Sequence, residues 1–425
     1  MEALAITIFV ATYILLLVLP RFRAHVAVLA ALLFIALGIM PLGLVGSAVD
    51  WNVILMIAGT MGIVALFIES RMPARLADLI VEKTPTLCWA VVALSLFSSL
   101  ISAFVDNVAT VLIVAPVAIS MAKNQGISPV PSVIAVAIAS NLQGAATLVG
   151  DATSIMLGGH AGMDFLDFFF TRGRLGIFWI VQAGAVAATA ILYWVLRSMK
   201  GEVKAQGRTD VKDYFPSYLL ISMVVLLILV SFVPTKPAIT NGLICVALMI
   251  IGVLRGLIQG KNLKWAGGVF GEIDFFTLFL LMGLFVVIGG LTQVGVIDQI
   301  ASFIVRTGQD SVFLTYTLVV WMSVLVSGFV DNIPYVATML PVMGGVASLL
   351  GVEPYLFYFG LLIGATLGGN LTPIGASANI TGLGLLRKEG YEVKVGEFMR
   401  LSVPYTLAAV TTGYILVWLI WGGSL

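Results

Sequence analysis

The sequence predicts an all-α polytopic membrane protein made of two inverted repeats. Each repeat should hold five membrane crossings, one re-entrant hairpin and one broken helix. Three observations lead to this. Of 425 residues, 60% are hydrophobic and 10% charged, and the mean hydropathy is +1.11; a water-soluble chain of this length lacks the interior to hide that much apolar surface. Apolar runs of the ~20 residues that cross a bilayer as a helix recur along the whole chain, which favours helices over a barrel. Finally, 102-SAFVDNVATVLIVAPV-117 and 327-SGFVDNIPYVATMLPV-342 share Ser, Phe-Val-Asp-Asn and a closing Pro-Val at a constant offset of 225 residues.

Full spans are expected at 3–20, 24–43, 50–69, 129–159, 174–197, 215–233, 238–255, 273–294, 354–386 and 400–422. The run 3–20 lacks the basic start and small-residue cleavage site of a signal peptide and counts as a span. The segments 86–122 and 310–349 are interrupted at their Asp-Asn pairs and read as the re-entrant hairpins. The segments 129–159 and 354–386 are interrupted by Gly, Thr, Ser and Asn and read as the broken helices.

Charge orients this layout. With 198–214 cytoplasmic, eighteen of the twenty-two Lys and Arg fall inside, and only Arg172, Arg174, Lys236 and Arg306 fall outside. That is the asymmetry the positive-inside rule expects. It requires each hairpin to return to the side it came from, and it leaves both termini outside. The linker 198–214 then separates a first repeat, 1–197, from a second, 215–425. Five crossings is an odd number, so the second repeat inserts upside down. The repeat extends beyond the hairpins: Asp50 and Gly59 correspond to Asp274 and Gly283 at an offset of 224, and Gly150 to Gly375 at 225. Repeats of this kind with interrupted helices mark secondary transporters, with the site at the repeat interface near the midplane.

Several classes are disfavoured. A net charge of +1 leaves no nucleic-acid footprint. Cys88 and Cys245 lie far apart in apolar runs, and His25 and His160 form no ligand cluster, so no metal centre, disulfide framework or nucleophile–base pair of an enzyme can be assembled. The segments 71–83 and 391–400 mix charges with apolar spacing and read as interfacial amphipathic helices.

The chemistry-bearing residues are those an apolar span would otherwise exclude. An ionised Asp at the bilayer centre costs about 2.5–3.5 kcal/mol on insertion scales, yet the chain carries Asp106, Asp151 and Asp331 there. Each is placed to cap a helix, but Asn, Ser or Thr would cap about as well at lower desolvation cost. The carboxylates therefore point to binding of a proton or a cation. Asn107 and Asn332 beside them supply donors and acceptors. Thr110 could add a hydroxyl, although membrane Thr often bonds its own helix. Unwound backbone at 141–154 and 370–379 brings Asn141, Thr147, Gly150, Asn370, Thr372 and Asn379 into the same expected site, where carbonyls can hold Na⁺. No Lys or Arg lies in a predicted core segment beside these motifs. A dicarboxylate would meet three acids without a cationic partner, whereas a cation or a neutral polyhydroxyl species would not.

SAFVDNVAT at 102–110 and SGFVDNIP at 327–334 resemble the ion transporter superfamily, in the branch of arsenite pump membrane subunits, P-protein permeases and NhaD-type sodium/proton antiporters. GDATS at 150–154 is similar to the Gly-Asp-x-Thr-Thr of those antiporters. Related dicarboxylate carriers place Ser-Asn-Thr at the hairpin tips, from which Asp-Asn departs. The resemblance covers nearly the whole chain. It implies substrate and ion binding at the hairpin tips and broken helices, an elevator-like transport domain and a homodimer. The expected activity is proton-coupled antiport in a prokaryotic cytoplasmic membrane. Arsenite or antimonite efflux leads, Na⁺/H⁺ antiport follows, and a dicarboxylate, citrate or other anion carrier is third. No cofactor beyond H⁺ or Na⁺ is expected, and a partner ATPase subunit is left open.

Overall fold

The computed structural model describes residues 1–199, 201, 203 and 207–423. The expected linker at 198–214 and the end of the second repeat thus lie partly outside the described residues. The first half supplies α1 (Glu2–Val18), α2 (Arg23–Ala36), α3 (Val45–Ala48), α4 (Trp51–Glu69) and α5 (Met72–Glu82). It continues with α6 (Leu87–Ser102), α7 (Asn107–Asn124), α8 (Val130–Gln143), α9 (Ala152–Ala161) and α10 (Ile177–Leu196). A two-stranded ribbon, β1 (Phe170–Thr171) with β2 (Arg174–Leu175), precedes α10. The second half supplies α11 (Phe215–Ser231), α12 (Thr240–Ile258), α13 (Leu263–Gly271), α14 (Phe275–Gln293) and α15 (Val296–Thr307). Then come α16 (Val312–Ser327), α17 (Asn332–Leu350), α18 (Tyr355–Leu362), α19 (Ser377–Lys388) and α20 (Val395–Val417).

Seven of the described helices are long and apolar enough to cross a membrane, or nine if each of two bent pairs is one crossing. The chain is therefore an integral membrane protein, but its spans are less regular than the ten read from sequence. Pro20 ends the first run, and α1 and α2 meet at 115°. The expected span 24–43 stops at Ala36, because Gly38 takes a left-handed φ of +70° and the amides of Ile39 and Met40 turn back to Phe34 O.

Small residues bring helices from opposite halves together. A Cβ added at Gly59 of α4 would stand 2.5 Å from the Cys245 backbone of α12, and one at Gly283 of α14 would stand 2.6 Å from Ala27 of α2. Only glycine permits such contact between helix backbones in a bilayer. The helix pairs α6–α7 and α16–α17 and the broken helices α8–α9 and α18–α19 form a second group, with α8 packed on α6, α7 and α19, and α17 packed on α9.

Two amphipathic helices run between the groups. The expected one at 71–83 is α5. Its counterpart is α15, not 391–400: residues 391–394 are non-helical, and 395–400 open the long helix α20. In α15, Val296, Ile297, Ala301 and Val305 are buried while Asp298 and Arg306 mark its ends, a helical period. Both helices follow a left-handed residue, Arg71 (φ 60°) or Gly295 (φ 75°).

Candidate functional site

Both helix pairs break where Ser-x-Phe-Val-Asp-Asn places a helix stop before a strong N-cap. Asp106 accepts hydrogen bonds from the amides of Val108 (2.9 Å) and Ala109 (3.2 Å), and Asp331 from that of Ile333 (3.1 Å). Asp151 caps α9 through the Ala152 amide at 2.7 Å. A carboxylate at each helix start is stabilised by the partial positive charge there. Pro116 and Pro341 sit inside α7 and α17, ten residues after each Asp.

The interrupted helices reach these tips through buried amides. Asn141, at the end of α8, accepts from Asn107 Nδ2 at 2.8 Å; its own Nδ2 donates to Thr366 O at 2.8 Å and Asn370 Oδ1 at 3.1 Å. Asn370 Nδ2 returns a bond to Ile138 O at 2.8 Å. Besides Asn141, two of the sequence-predicted residues on the broken helices bond the hairpin segments directly. The hydroxyls of Thr147 and Thr372 donate to Ala103 O and Gly328 O of the two hairpins. Asn379 Nδ2 stitches Gly369 O and Thr372 O at 3.1 Å each. Gly150 is backed by the carbonyls of Gly144, Ser102 and Ala103, which would lie 2.9, 3.2 and 3.3 Å from an added Cβ. At the repeated position, Gly375 faces the carbonyls of Gly369, Gly328 and Ser327 at 2.6, 2.8 and 2.8 Å. Two buried oxygens near these turns, Ser102 Oγ and Asn379 Oδ1, have no hydrogen-bond partner among the described residues. Thr110 bonds its own helix at Asp106 O (3.0 Å), which is the structural alternative for a membrane hydroxyl.

Asp106, Asn107, Asp151 and Asn332 come together on a cavity of about 260 Å³. Asp151 is 4% exposed; its Oδ2 accepts from Thr153 Oγ1 at 3.1 Å and lies 3.4 Å from Asn332 Nδ2. Thr153 in turn meets Thr366 Oγ1 at 3.1 Å, so a side chain from each half supports the acid. The cavity is also lined by Met61, Val64, Ala65 and Ile68 of α4, by Glu272 at the end of α13, and by Asp274 and Thr277 at the start of α14. Among the described residues no Lys or Arg lines this cavity. A larger cavity of about 830 Å³ lies at the other end of α4, beside Asp50. Of the two hairpin motifs it touches Ala337, Leu340 and Pro341 but neither Asp-Asn pair, and its Lys236 is already paired with Asp164 at 2.5 Å.

One expectation is corrected. Asp331 does have a cationic partner: Arg23 Nη1 lies 2.9 Å from its Oδ2. Arg23 stands 308 residues away in sequence, at the start of an apolar run where it reads as an interfacial charge. Asp331 is not among the residues that line the shared cavity. Glu69 pairs with Lys261 (2.9 Å) and accepts from Trp265 Nε1 (2.7 Å). Sequence reasoning also passed over Asp274 and Glu272 as cavity residues, although the repeat had singled out Asp274.

Residues 13–361 match the citrate transporter family. An uncharacterised transporter of Mycobacterium tuberculosis is 32% identical over 438 residues, covering 99% of each chain. The P protein of Mus musculus is 26% identical over 87% of this chain and 54% of its own length. Among solved structures, the Alcanivorax borkumensis YdaH transporter superposes with a TM-score of 0.59 at 17% identity, covering 90% of this chain and 86% of that one, so the fold is that of a transporter of this architecture. A family match across most of the chain and a relative aligned end to end agree: the protein belongs to the citrate transporter family, CitMHS, within the ion transporter superfamily.

Proposed function

We propose that the protein is a secondary active carrier that exchanges protons for a small cationic or neutral substrate by elevator-type alternating access, with Asp106 and Asp151 as the carboxylates that bind proton and substrate in turn. The observation that carries this reading is the cavity at the hairpin tips, lined by Asp106, Asp151, Asp274 and Glu272 and, among the described residues, by no cationic side chain. Two carboxylates in one low-dielectric cavity repel each other when both are ionised. A proton or a bound cation relieves that repulsion, and competition for the same oxygens is what couples the two. Asn107 and Asn332 supply amides that bond a hydroxyl whichever way it points.

Within this class, arsenite and antimonite are the leading substrates, as uncharged hydroxy species that match paired amides and carboxylates. Na⁺/H⁺ exchange is the near alternative; it is favoured by the carbonyl clusters at Gly150 and Gly375 and by the unpartnered Ser102 Oγ and Asn379 Oδ1. The family match favours a further reading, citrate. Citrate fits an acid-lined cavity only with its charge cancelled by protons or by a bound cation.

The test is flux in proteoliposomes. A pH gradient is imposed, and internal pH is followed on adding arsenite, antimonite, Na⁺, Li⁺, or citrate with and without a divalent cation. One of these should collapse the gradient in the wild type, and Asp106→Asn or Asp151→Asn should each abolish the response. Normal proton exchange in both variants would reduce the carboxylates to helix caps.

A further inference from the structure

Arg23 opens α2 directly after the 115° bend from α1. Its Nη1 meets Asp331 Oδ2 at 2.9 Å while its Nε donates to Leu16 O at 3.1 Å, so α1 braces the guanidinium. The two side chains are only 22% and 14% exposed. Nearby, Tyr13 donates to Pro334 O at 2.7 Å. The bend of the first two helices thus grips the tip of the second hairpin through both a charge and a backbone contact. Asp106, the repeat twin of Asp331, meets no such cation among the described residues and lines the cavity.

Packing identifies the residue that stands in the other half where Arg23 stands here. Gly283 and Gly290 of α14 press on Ala27 and Phe34 of α2; Gly59 and Leu66 of α4 meet Cys245 and Gly252 of α12. Gly283 and Gly290 follow Gly59 and Leu66 by 224 residues, and Cys245 and Gly252 follow Ala27 and Phe34 by 218. Applied to Arg23, the second interval lands on Asn241, at the start of α12. Asn241 is buried, lines the larger cavity at the opposite end of α4, and lies 3.4 Å from Asp164 Oδ1.

We infer that the Arg23–Asp331 ion pair is a state-specific latch, closed in the conformation described and opened at turnover, when Asp106 docks at Asn241 instead. The inference rests on the alternating-access reading above. Exchange of equivalent contacts is how two repeated halves can give two related end states, and here the two contacts are unequal. One end state gains a partly shielded ion pair, and the other gains a carboxylate–amide contact. That difference biases the resting population toward the latched state, and a bias of this kind is the differential contact that a two-state equilibrium needs. Arg23 is in this sense a positioning residue: it acts through Asp331 and does not itself line the cavity.

Crosslinking tests the latch without relying on flux. With Cys88 and Cys245 replaced by Ser, the pairs Arg23→Cys/Asp331→Cys and Asp106→Cys/Asn241→Cys are each treated in membranes with short bifunctional thiol reagents. Both pairs should crosslink, although only the first is in contact here. Adding Arg23→Gln to the second pair should raise its crosslinked fraction about five-fold, the shift expected from losing a pair of this exposure, and Arg23→Lys should leave the fraction near its starting value. Val108→Cys/Thr240→Cys repeats the measurement beside the second pair if Asp106→Cys fails to fold. A second pair that never crosslinks, or a fraction unchanged by Arg23→Gln, overturns the latch. Wild-type flux is measured separately: its absence overturns the carrier reading, whereas normal flux with a negative crosslink overturns the latch alone.

Discussion

Asn141 is the side chain through which the halves touch most directly. Its amide joins α8 to the first hairpin at Asn107 and to the second broken helix at Thr366 and Asn370. Asn141→Ala would strand at least Thr366 O and one group of each partner amide in a buried setting, where an unmet polar group costs about 1–3 kcal/mol. The expected outcome is a thermal unfolding midpoint in detergent several degrees below wild type, read by tryptophan fluorescence or scattering. Asn141→Asp should be worse than a simple loss of one bond, because it adds a third charge near Asp106 and Asp151. Residues of this kind were legible in the sequence for one reason: an acid or amide inside an apolar run has to be explained. Arg23, Asp274 and Glu272 were not, since a charge at the end of an apolar run is what any interfacial position shows. Only tertiary packing distinguishes a side chain that returns to the hairpin tips from one that faces water.

The turns of the broken helices set a stricter demand than their composition announces. At Gly375 three carbonyls lie 2.6–2.8 Å from where a methyl would stand, against 2.9–3.3 Å at Gly150. Backbone oxygens cannot rotate aside as a flexible side chain can. Gly375→Ala should therefore abolish accumulation of folded protein, whereas Gly150→Ala should give folded protein with weakened hairpin docking; size-exclusion profiles of the two variants separate these outcomes. A second element-scale feature is the strap on α5. Arg208 grips Glu82 with two bonds of 2.8 and 2.7 Å, and the Thr209 amide donates to Asp78 at 2.8 Å. The hydrogen bond from Arg208 holds the Glu82 carboxyl below its usual range, so the strap is at full strength above the ordinary carboxylate pKa and is lost as pH falls below it. Glu82→Gln at neutral pH should reproduce the acid effect, measured as faster amide deuterium exchange at 207–213 with little change in the hairpins. The helix breaks at the two Asp-Asn pairs and α5 were readable from caps and periodicity. The stop at Ala36 and the place of α15 were not, because the sequence offered a longer apolar run in one case and a competing amphipathic pattern at 391–400 in the other.

At the scale of the whole molecule, the parts that fit together come from opposite halves of the chain. The groove of α4 receives α12 and the groove of α14 receives α2, each at a glycine that accepts a neighbouring backbone. This has a consequence for biogenesis. While the ribosome is still making the second half, the first half sits in the bilayer with its mating surfaces bare and Asn141 without its bonds to Thr366 and Asn370. It is a half-built lock whose stability arrives only with the last helices. Residues 1–197 expressed alone should be degraded, and so should 215–425. Produced together as two polypeptides, they should rescue each other and co-purify, which pulse-chase turnover and affinity capture of one tagged fragment would reveal. A late substitution such as Gly283→Leu should then shorten the lifetime of the N-terminal fragment, which it never alters covalently.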